Sequence, residues 1–241
     1  MIEKVRGIVL QQIKYTDSGI IVRMYTREKG AMSVLIKGMR QRKSGKHNVY
    51  FQPFFILDME VYNKDDRGVQ LMKEFTPLYI PNGIQDNIEK TCVALFIGEL
   101  LSSIFRNEEK NVDLYDYIDN SVRYLDTCAN SFSNFHIVFI TKLFGFLGIE
   151  PNQPSKGESL YFDMANGRFN IMPPPHGAYA DEEVSMILAN FFTSSFDEAM
   201  DIKMNGVLRN KTLDTLIKFA SIHTPIMREV KSLDVMREIF G

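Results

Sequence analysis

The sequence predicts an α+β multidomain protein, in which a five-stranded β-barrel of the OB type precedes a mainly α-helical domain. Three observations support this prediction. Through residue 75, apolar and polar side chains alternate with a period of two, and turn residues recur at short spacing. Beyond residue 80 the period becomes about 3.6, which is typical of amphipathic helices. Residues 149–180 follow neither period, apart from one short hairpin.

Five strands are expected in the first domain. Gly7 lies in the first of them and is expected to mark a bend or bulge. Gly30 ends a short turn and supplies the positive φ that a tight hairpin needs. Five short strands form a stable sheet most economically as a closed barrel, because closure removes exposed edges. The predicted strands cover residues 5–15, 20–26, 31–37, 54–62 and 69–75.

A domain boundary is expected near residue 80, because Pro77 and Pro81 interrupt the strand pattern. The two domains are therefore predicted as residues 1–80 and 81–241. In the second, the irregular segment 149–180 contains a hairpin turned by Asn166-Gly167. The predicted helices cover residues 84–105, 113–126, 131–147, 181–192, 208–222 and 233–240.

The most unusual stretch is the basic loop, residues 37–46, where five of ten residues are cationic and none is acidic. The first fifty residues carry eleven Lys and Arg against three Asp and Glu, a net charge of +8. Since the whole chain has a net charge of −2, the remainder carries −10. A cationic loop between two strands suits a polyanion such as a phosphate backbone. The alternative is a solvated loop that only aids solubility.

Several functional classes are disfavoured. Cys92 and Cys128 are the only cysteines, so neither a disulfide framework nor a four-cysteine zinc site can form, and a reducing cytoplasm fits. The chain is expected to lack a signal peptide and a membrane-spanning helix. It shows no phosphate-binding Walker loop, dinucleotide glycine motif or nucleophile elbow. The four histidines are far apart, and none has metal-ligand spacing. Enzyme activity is therefore disfavoured.

Motifs of the first domain follow one another in a recognisable order. Gly7-Ile8-Val9-Leu10 opens the first strand, and Tyr15 follows. The remaining motifs are Thr26-Arg27-Glu28-Lys29-Gly30, Ile36-Lys37-Gly38, Lys43-Ser44 and Phe51-Gln52-Pro53. This order resembles the RecO family of bacterial recombination mediators over the first eighty residues. The helical layout and the Lys231-Ser232-Leu233 ending are also similar to that family.

The resemblance implies a non-enzymatic DNA-repair protein that binds single- and double-stranded DNA and anneals complementary strands. It also implies engagement of single-strand-binding protein and RecR to help load RecA, in the cytoplasm at the nucleoid. Many relatives carry four zinc-binding cysteines after the third helix, whereas residues 149–180 contain none. We therefore expect no metal or other cofactor, and we expect chelators to leave the fold unchanged.

Candidate binding residues follow from the charge pattern and the resemblance. Three tyrosines are candidates for base stacking, namely Tyr15, Tyr25 and Tyr50, and packing in the sheet is the alternative role for each. In the helical domain, Lys211 and Lys218 are candidates for the acidic tail of single-strand-binding protein. The candidate DNA-binding cations are Lys14, Arg23, Arg27, Lys29, Lys37, Arg40, Arg42, Lys43 and Lys46.

Two other functions stay open at this point. A small barrel with helices could act as a non-catalytic protein-interaction adaptor whose basic loop does not bind DNA. A hydrolase or transferase could assemble its site from scattered residues. Salt-sensitive binding to unrelated DNA sequences separates the first function from both.

Overall fold

The computed structural model describes residues 1–16, 19–37, 49–62, 68–105, 109–129, 132–152, 160–224, 227 and 229–241. Five strands form a closed barrel in the order β1-β2-β3-β5-β4, and β4 pairs back onto β1. Strands β3 and β5 are parallel, and the other pairs are antiparallel. The predicted five-stranded barrel is confirmed. The strands are β1 (Ile2–Thr16), β2 (Gly19–Thr26), β3 (Gly30–Lys37), β4 (Ile56–Tyr62) and β5 (Gln70–Tyr79).

Alternation along the strands decides which side chains fill the barrel. Ile20, Val22 and Met24 of β2 lie in the core together with Val34 and Ile36 of β3. Successive side chains of a strand point to opposite faces, so the residues between them face outward. The outward-facing side chains of these strands belong to the candidate binding surface.

The irregularity of β1 lies further along the strand than the sequence predicts. Its register against β2 shifts between Val9 and Gln11, whereas no shift occurs at Gly7. Gly7 is instead closely packed, because a Cβ there would lie 3.0 Å from the Cε atoms of Met24 and Met59. The expectation of a bend at Gly7 is therefore wrong, and the absent side chain leaves space for the ends of two methionines.

The fourth strand starts later than predicted. Phe54 has a φ of 74°, in the left-handed region, and this backbone conformation prevents an extended strand before Ile56. The Phe54 N–H nevertheless donates to the carbonyl of Val9 at 2.8 Å, and its side chain is fully buried. The surrounding packing therefore holds an unfavourable backbone conformation in place.

The fifth strand continues through a proline that was expected to end it. Pro77 lies opposite Leu57 and beside a register shift between Ile56 and Leu57. A bulge tolerates proline because it interrupts the regular ladder of hydrogen bonds. The strand therefore runs on to Tyr79.

Three helices follow the barrel: α1 (Asn82–Gln85), α2 (Ile88–Ile104) and α3 (Val112–Thr127). The single helix predicted for residues 84–105 is divided, because the Asn87 side chain accepts a hydrogen bond from the Lys90 N–H and caps α2. Residues 1–127 and 229–233 form the first compact unit. The domain boundary expected after residue 80 stays a prediction.

Asp126 connects several parts of this unit. Its carboxylate accepts hydrogen bonds from the Tyr79 hydroxyl at 2.6 Å and from the Ile84 N–H at 2.9 Å. Its carbonyl accepts from Lys90 Nζ at 3.1 Å. Burial and the hydrogen bond to Asp126 raise the pKa of Tyr79 to about 12. One residue of α3 thus joins the end of β5 to α1 and α2, through its carboxylate and its backbone carbonyl.

Residues 128–228 and 234–241 form the second compact unit. All four helices predicted within it are confirmed, and the expected hairpin forms between β6 and β7. The short α6 was not predicted, and its N-terminus is closed by a capping box of Ser195 and Glu198. Its elements are α4 (Phe135–Phe146), β6 (Tyr161–Asp163), β7 (Arg168–Asn170), α5 (Glu182–Thr193), α6 (Phe196–Met200), α7 (Gly206–His223) and α8 (Leu233–Phe240).

A buried histidine lies at the centre of the second unit. His136 of α4 is 1% exposed, and its ring centroid lies 5.3 Å from that of Phe240. Arg209 of α7 donates to the carbonyl of Phe240 at 2.9 Å. Burial and the charge of Arg209 lower the pKa of His136 to about 3. The imidazole is therefore neutral in the folded protein at neutral pH.

This histidine is expected to make the second unit sensitive to acid. Below its unfolded pKa of 6.5, the unfolded chain binds a proton that the folded chain excludes, so stability falls with pH until the folded pKa is reached. The loss from this group is about 2 kcal/mol between pH 7 and pH 5. Urea unfolding at both pH values should show a smaller loss for His136→Asn. An identical loss in both proteins contradicts the prediction.

Candidate nucleic-acid interface

Three strands of the barrel end close together, at what we call the basic end. Thr16 of β1 pairs with Gly19 of β2, and Gly19 pairs with Lys37 of β3. Glycine permits this approach, since a Cβ on Gly19 would lie 2.8 Å from Thr16 Oγ1. Lys14 and Lys37 are both exposed at this end of the barrel, and residues 38–48 follow Lys37 in the sequence. Two of the predicted cations therefore lie at the same end of the barrel.

Arg23 lies on the outer face of β2, nearer the middle of the barrel. It is partly buried, its Nη1 donates to Gln11 Oε1 at 3.4 Å, and it is paired in register with Ser33. Two residues along a strand span roughly 6.6 Å on one face. Arg23 is thus separated from the basic end by the intervening outward-facing row, which contains Ile21.

Arg27 and Lys29 lie at the opposite end of the barrel, in the turn between β2 and β3. Arg27 forms an ion pair with Asp116 of α3, and Lys29 Nζ lies 3.0 Å from Glu3 Oε2. Both cations are therefore close to a carboxylate. The structure separates these two residues from Lys14 and Lys37, so the five candidate cations that the structure describes do not form one continuous track.

The remaining four candidate cations are all in the basic loop. Arg40, Arg42, Lys43 and Lys46 belong to the basic loop and lie outside the described residues. The described flanks of the loop are Lys37 and Val49. The basic loop therefore joins the basic end at Lys37, the last residue of β3.

The three candidate stacking tyrosines differ in exposure. Tyr15 is 61% exposed near the end of β1 and is available to a ligand. Tyr25 is fully buried: its ring packs 4.9 Å from that of Phe105, and its hydroxyl donates to the Glu109 carbonyl at 3.1 Å. A base cannot reach Tyr25 in this conformation, so the stacking role predicted for it is not retained.

Tyr50 is partly buried and belongs mainly to the barrel core. Its ring centroid lies 6.1 Å from that of Phe55 and 5.9 Å from that of Phe75. These contacts support packing, rather than base stacking, as the role of Tyr50. Tyr15 stays the strongest of the three stacking candidates.

The outer face of β4 and β5 differs in charge from the basic end. Glu60 accepts from Lys73 at 2.7 Å and lies 3.7 Å from Lys4, and Arg6 lies 3.3 Å from Asp58. The hydrogen bond from Lys73 lowers the pKa of Glu60. Lys4, Arg6 and Lys73 therefore already have carboxylate partners on this face, whereas Lys14 and Lys37 lie exposed at the basic end.

Sequence reasoning missed a row of partly exposed aliphatic side chains on the outer face. Ile13, Ile21 and Leu35 lie directly across from one another on three neighbouring strands. One signal was available in the sequence, because Ile20, Ile21 and Val22 are consecutive and therefore make both faces of β2 apolar.

The two candidate lysines of the second unit lie on α7. Lys211 and Lys218 are both exposed. Lys211 Nζ lies 3.8 Å from Asp181 Oδ2, a separation typical of a weak surface pair. Between the two lysines, Asp214 accepts a 2.7 Å hydrogen bond from Arg237 of α8. The surface between them is thus polar rather than an apolar groove.

The irregular segment is organised around a carboxylate. Asp163 is 1% exposed and accepts hydrogen bonds from the N–H groups of Ala165 and Asn166 at 3.0 and 3.1 Å. His176 Nε2 lies 3.2 Å from the same carboxylate. Burial acts to raise the pKa of Asp163, but hydrogen bonds from Asn166 and His176 leave it lowered overall. Within the described ranges, no three His, Cys, Asp or Glu side chains are grouped as a metal site.

None of the helices that the structure describes is both long and apolar enough to cross a membrane.

Two family models match this chain. The model described as "Recombination protein O N terminal" matches residues 1–80, and "Recombination protein O C terminal" matches residues 85–233. The DNA repair protein RecO of Phocaeicola vulgatus is 34% identical over 241 residues, covering all of both chains. RecO of Bacteroides fragilis is 33% identical with the same coverage, and RecO of Azobacteroides pseudotrichonymphae is 29% identical. The chain therefore belongs to the RecO family of DNA repair proteins.

Proposed function

We propose that this chain is a non-catalytic recombination mediator that binds single- and double-stranded DNA and anneals complementary strands. With RecR, it would assist loading of RecA onto DNA covered by single-strand-binding protein. The observation that carries the proposal is the basic end of the barrel, where Lys14 is exposed and Lys37 begins the basic loop. Membership of a DNA-repair family supports the same ligand.

The chemistry of the basic end suits DNA of any sequence. Lysine and arginine contact phosphates and neutralise them, which releases counterions and makes binding depend steeply on salt. Phosphate contacts fix position without reading bases. A protein that holds strands in this way can bring two complementary strands together irrespective of sequence.

The proposal is tested by fluorescence anisotropy titrations of a labelled oligonucleotide over a salt series. Log affinity should fall linearly with log salt concentration. Changing Lys14 and Lys37 together to alanine should reduce the slope on single strands by about 1.4 units, since each phosphate contact contributes about 0.7.

The matched control is Arg27→Ala with Lys29→Ala, which removes two cations that already have acidic partners. It should leave the slope nearly unchanged. An equal reduction in both double variants contradicts the assignment of the basic end. Absence of salt-dependent binding by the unsubstituted chain favours a protein-interaction adaptor instead.

The proposal also implies a cellular location for the protein. We place it in the cytoplasm, at the nucleoid, because DNA is the proposed ligand. It requires no cofactor for binding or annealing. Both activities should therefore persist in the presence of a chelator.

Helix α7 supports a second part of the proposal, the docking of the acidic C-terminal tail of single-strand-binding protein. Val207 and Ile222 are 68% and 40% exposed. They share a face with Lys211 and Lys218, because the successive spacings are four, seven and four residues. Cations flanked by exposed apolar side chains suit a peptide with both carboxylates and an apolar end.

Changing Lys211 and Lys218 together to glutamate should weaken binding of a synthetic tail peptide at least tenfold. Two attractive charges become repulsive, and like-charge contacts are costly at an interface. Calorimetric titration of the full chain measures the effect. Lys110→Glu changes an exposed lysine of the first unit and is the control. Unaltered affinity in the double variant means that the tail does not bind this face of α7.

A further inference from the structure

The outer face of the barrel carries a continuous apolar row, which we call the aliphatic strip. Ile13 of β1 is paired with Ile21 of β2, and Ile21 with Leu35 of β3. Directly opposed side chains on neighbouring strands are about 5 Å apart, so the three side chains are in reach of one another. Leu35 is also paired with Leu71 of β5. The strip therefore crosses four strands without a polar interruption.

A polar row of Gln11, Arg23 and Ser33 separates the strip from the apolar surface that α2 covers. Nearer the other end of β1, Ile8 and Leu10 are buried, and the Leu10 carbonyl closely approaches Gly98 of α2. In the strip, Ile13, Ile21 and Leu35 stay partly exposed. Apolar patches that a protein leaves accessible often mark binding surfaces.

Cations border the strip on both sides along the strands. Arg23 lies two residues from Ile21 on β2, and Lys37 lies two residues from Leu35 on β3, each on the outer face. The two-residue repeat places them roughly 6.6 Å from the strip. Phosphates can therefore contact these cations while the attached bases lie over the aliphatic side chains.

We propose that the aliphatic strip contacts the faces of unpaired bases and makes this protein favour single-stranded over double-stranded DNA; this rests on the DNA binding proposed above. In a duplex the base faces are stacked on one another, and only their edges are accessible in the grooves. The strip can then contribute only when the strand is unpaired. The cations serve both forms, because both present phosphates.

The aliphatic character of the strip has a consequence for annealing. Aromatic platforms hold bases strongly by stacking. Ile and Leu side chains offer apolar contact without an aromatic face, so they hold each base more weakly. A base on the strip can leave it and pair with a complementary strand, which suits annealing better than tight sequestration.

The first test changes Ile21 and Leu35 together to threonine in the full chain. Threonine keeps the β-branched shape that strands favour but replaces apolar surface by a hydroxyl. Affinity for a mixed-sequence single strand should fall about five- to tenfold at every salt concentration, with the salt slope unchanged, because no phosphate contact is lost. Affinity for the corresponding duplex should stay the same. Val235→Thr removes an exposed aliphatic side chain of α8 and should change neither affinity.

A second variant tests the strip in the opposite direction and does not depend on the first one folding. Leu35→Tyr places an aromatic ring on the strip and should tighten single-strand binding while slowing annealing of complementary strands. Thermal unfolding checks that each variant is folded.

The proposed role of the strip is overturned if the threonine variant loses affinity equally for single strand and duplex. It is also overturned if single-strand affinity is unaltered in both variants. Either result leaves the proposed DNA binding intact. Absence of DNA binding by the unsubstituted chain overturns both.

Discussion

Replacing Arg40, Arg42 and Lys43 together by alanine is expected to reduce the salt slope of single-strand binding by about two units. Each phosphate contact contributes about 0.7 to the slope on single strands, and the basic loop contains three of its cations within four residues. A loss of this size makes binding both weaker at low salt and much less sensitive to added salt. Anisotropy titrations with a labelled oligonucleotide over a salt series measure the slope directly.

The matched control removes the same number of charges from another face of the barrel. Lys4, Arg6 and Lys73 each lie within 4 Å of a carboxylate, so their triple alanine variant should change the slope little. If the loop variant retains the full slope, the loop does not contact phosphate. If both variants lose the same amount, the effect reflects net charge rather than a site.

A combined variant tests whether the basic loop and the basic end contact the same DNA strand. Combining the loop substitutions with Lys14→Ala and Lys37→Ala should reduce the slope by about 3.5 units if all five cations contact one DNA. A smaller combined effect indicates that the two sets compete for the same phosphates.

Much of the fold could be predicted because the apolar period changes once, from two to about 3.6. The predictions that were wrong concern positions whose surroundings depend on residues distant in the sequence. The ends of Met24 and Met59 occupy the space beside Gly7, and Pro77 is tolerated because β5 carries an extra residue next to it in its pairing with β4. Neither cause is visible in a window of ten residues.

The candidate site was harder to predict than the fold for the same reason. Residue type identifies Arg27 as a cation, but its partner Asp116 lies 89 residues further along the chain. The burial of Tyr25 likewise depends on Phe105 and Glu109. Charge counting identifies the charged region, whereas pairing decides which cations stay available to a ligand.

The contact between α2 and β1 is expected to be highly sensitive to substitution. A Cβ on Gly98 would lie 2.3 Å from the carbonyl oxygen of Leu10, and 3.2 Å from Pro53 Cβ. The near atom is backbone, so it cannot rotate away as a side chain can. Gly98→Ala should therefore destabilise the unit by about 3 kcal/mol, at the upper end of the range for overpacking, despite the better helix propensity of alanine.

The same substitution at Gly145 supplies the control with the opposite sign. Gly145 is an exposed residue of α4, where the nearest atom to a new Cβ is Glu150 Oε2 at 3.5 Å. Alanine there should stabilise by roughly 0.5–1 kcal/mol. Urea unfolding of both variants measures the difference. Equal stability of Gly98→Ala and the unsubstituted chain would show that α2 can move away from β1.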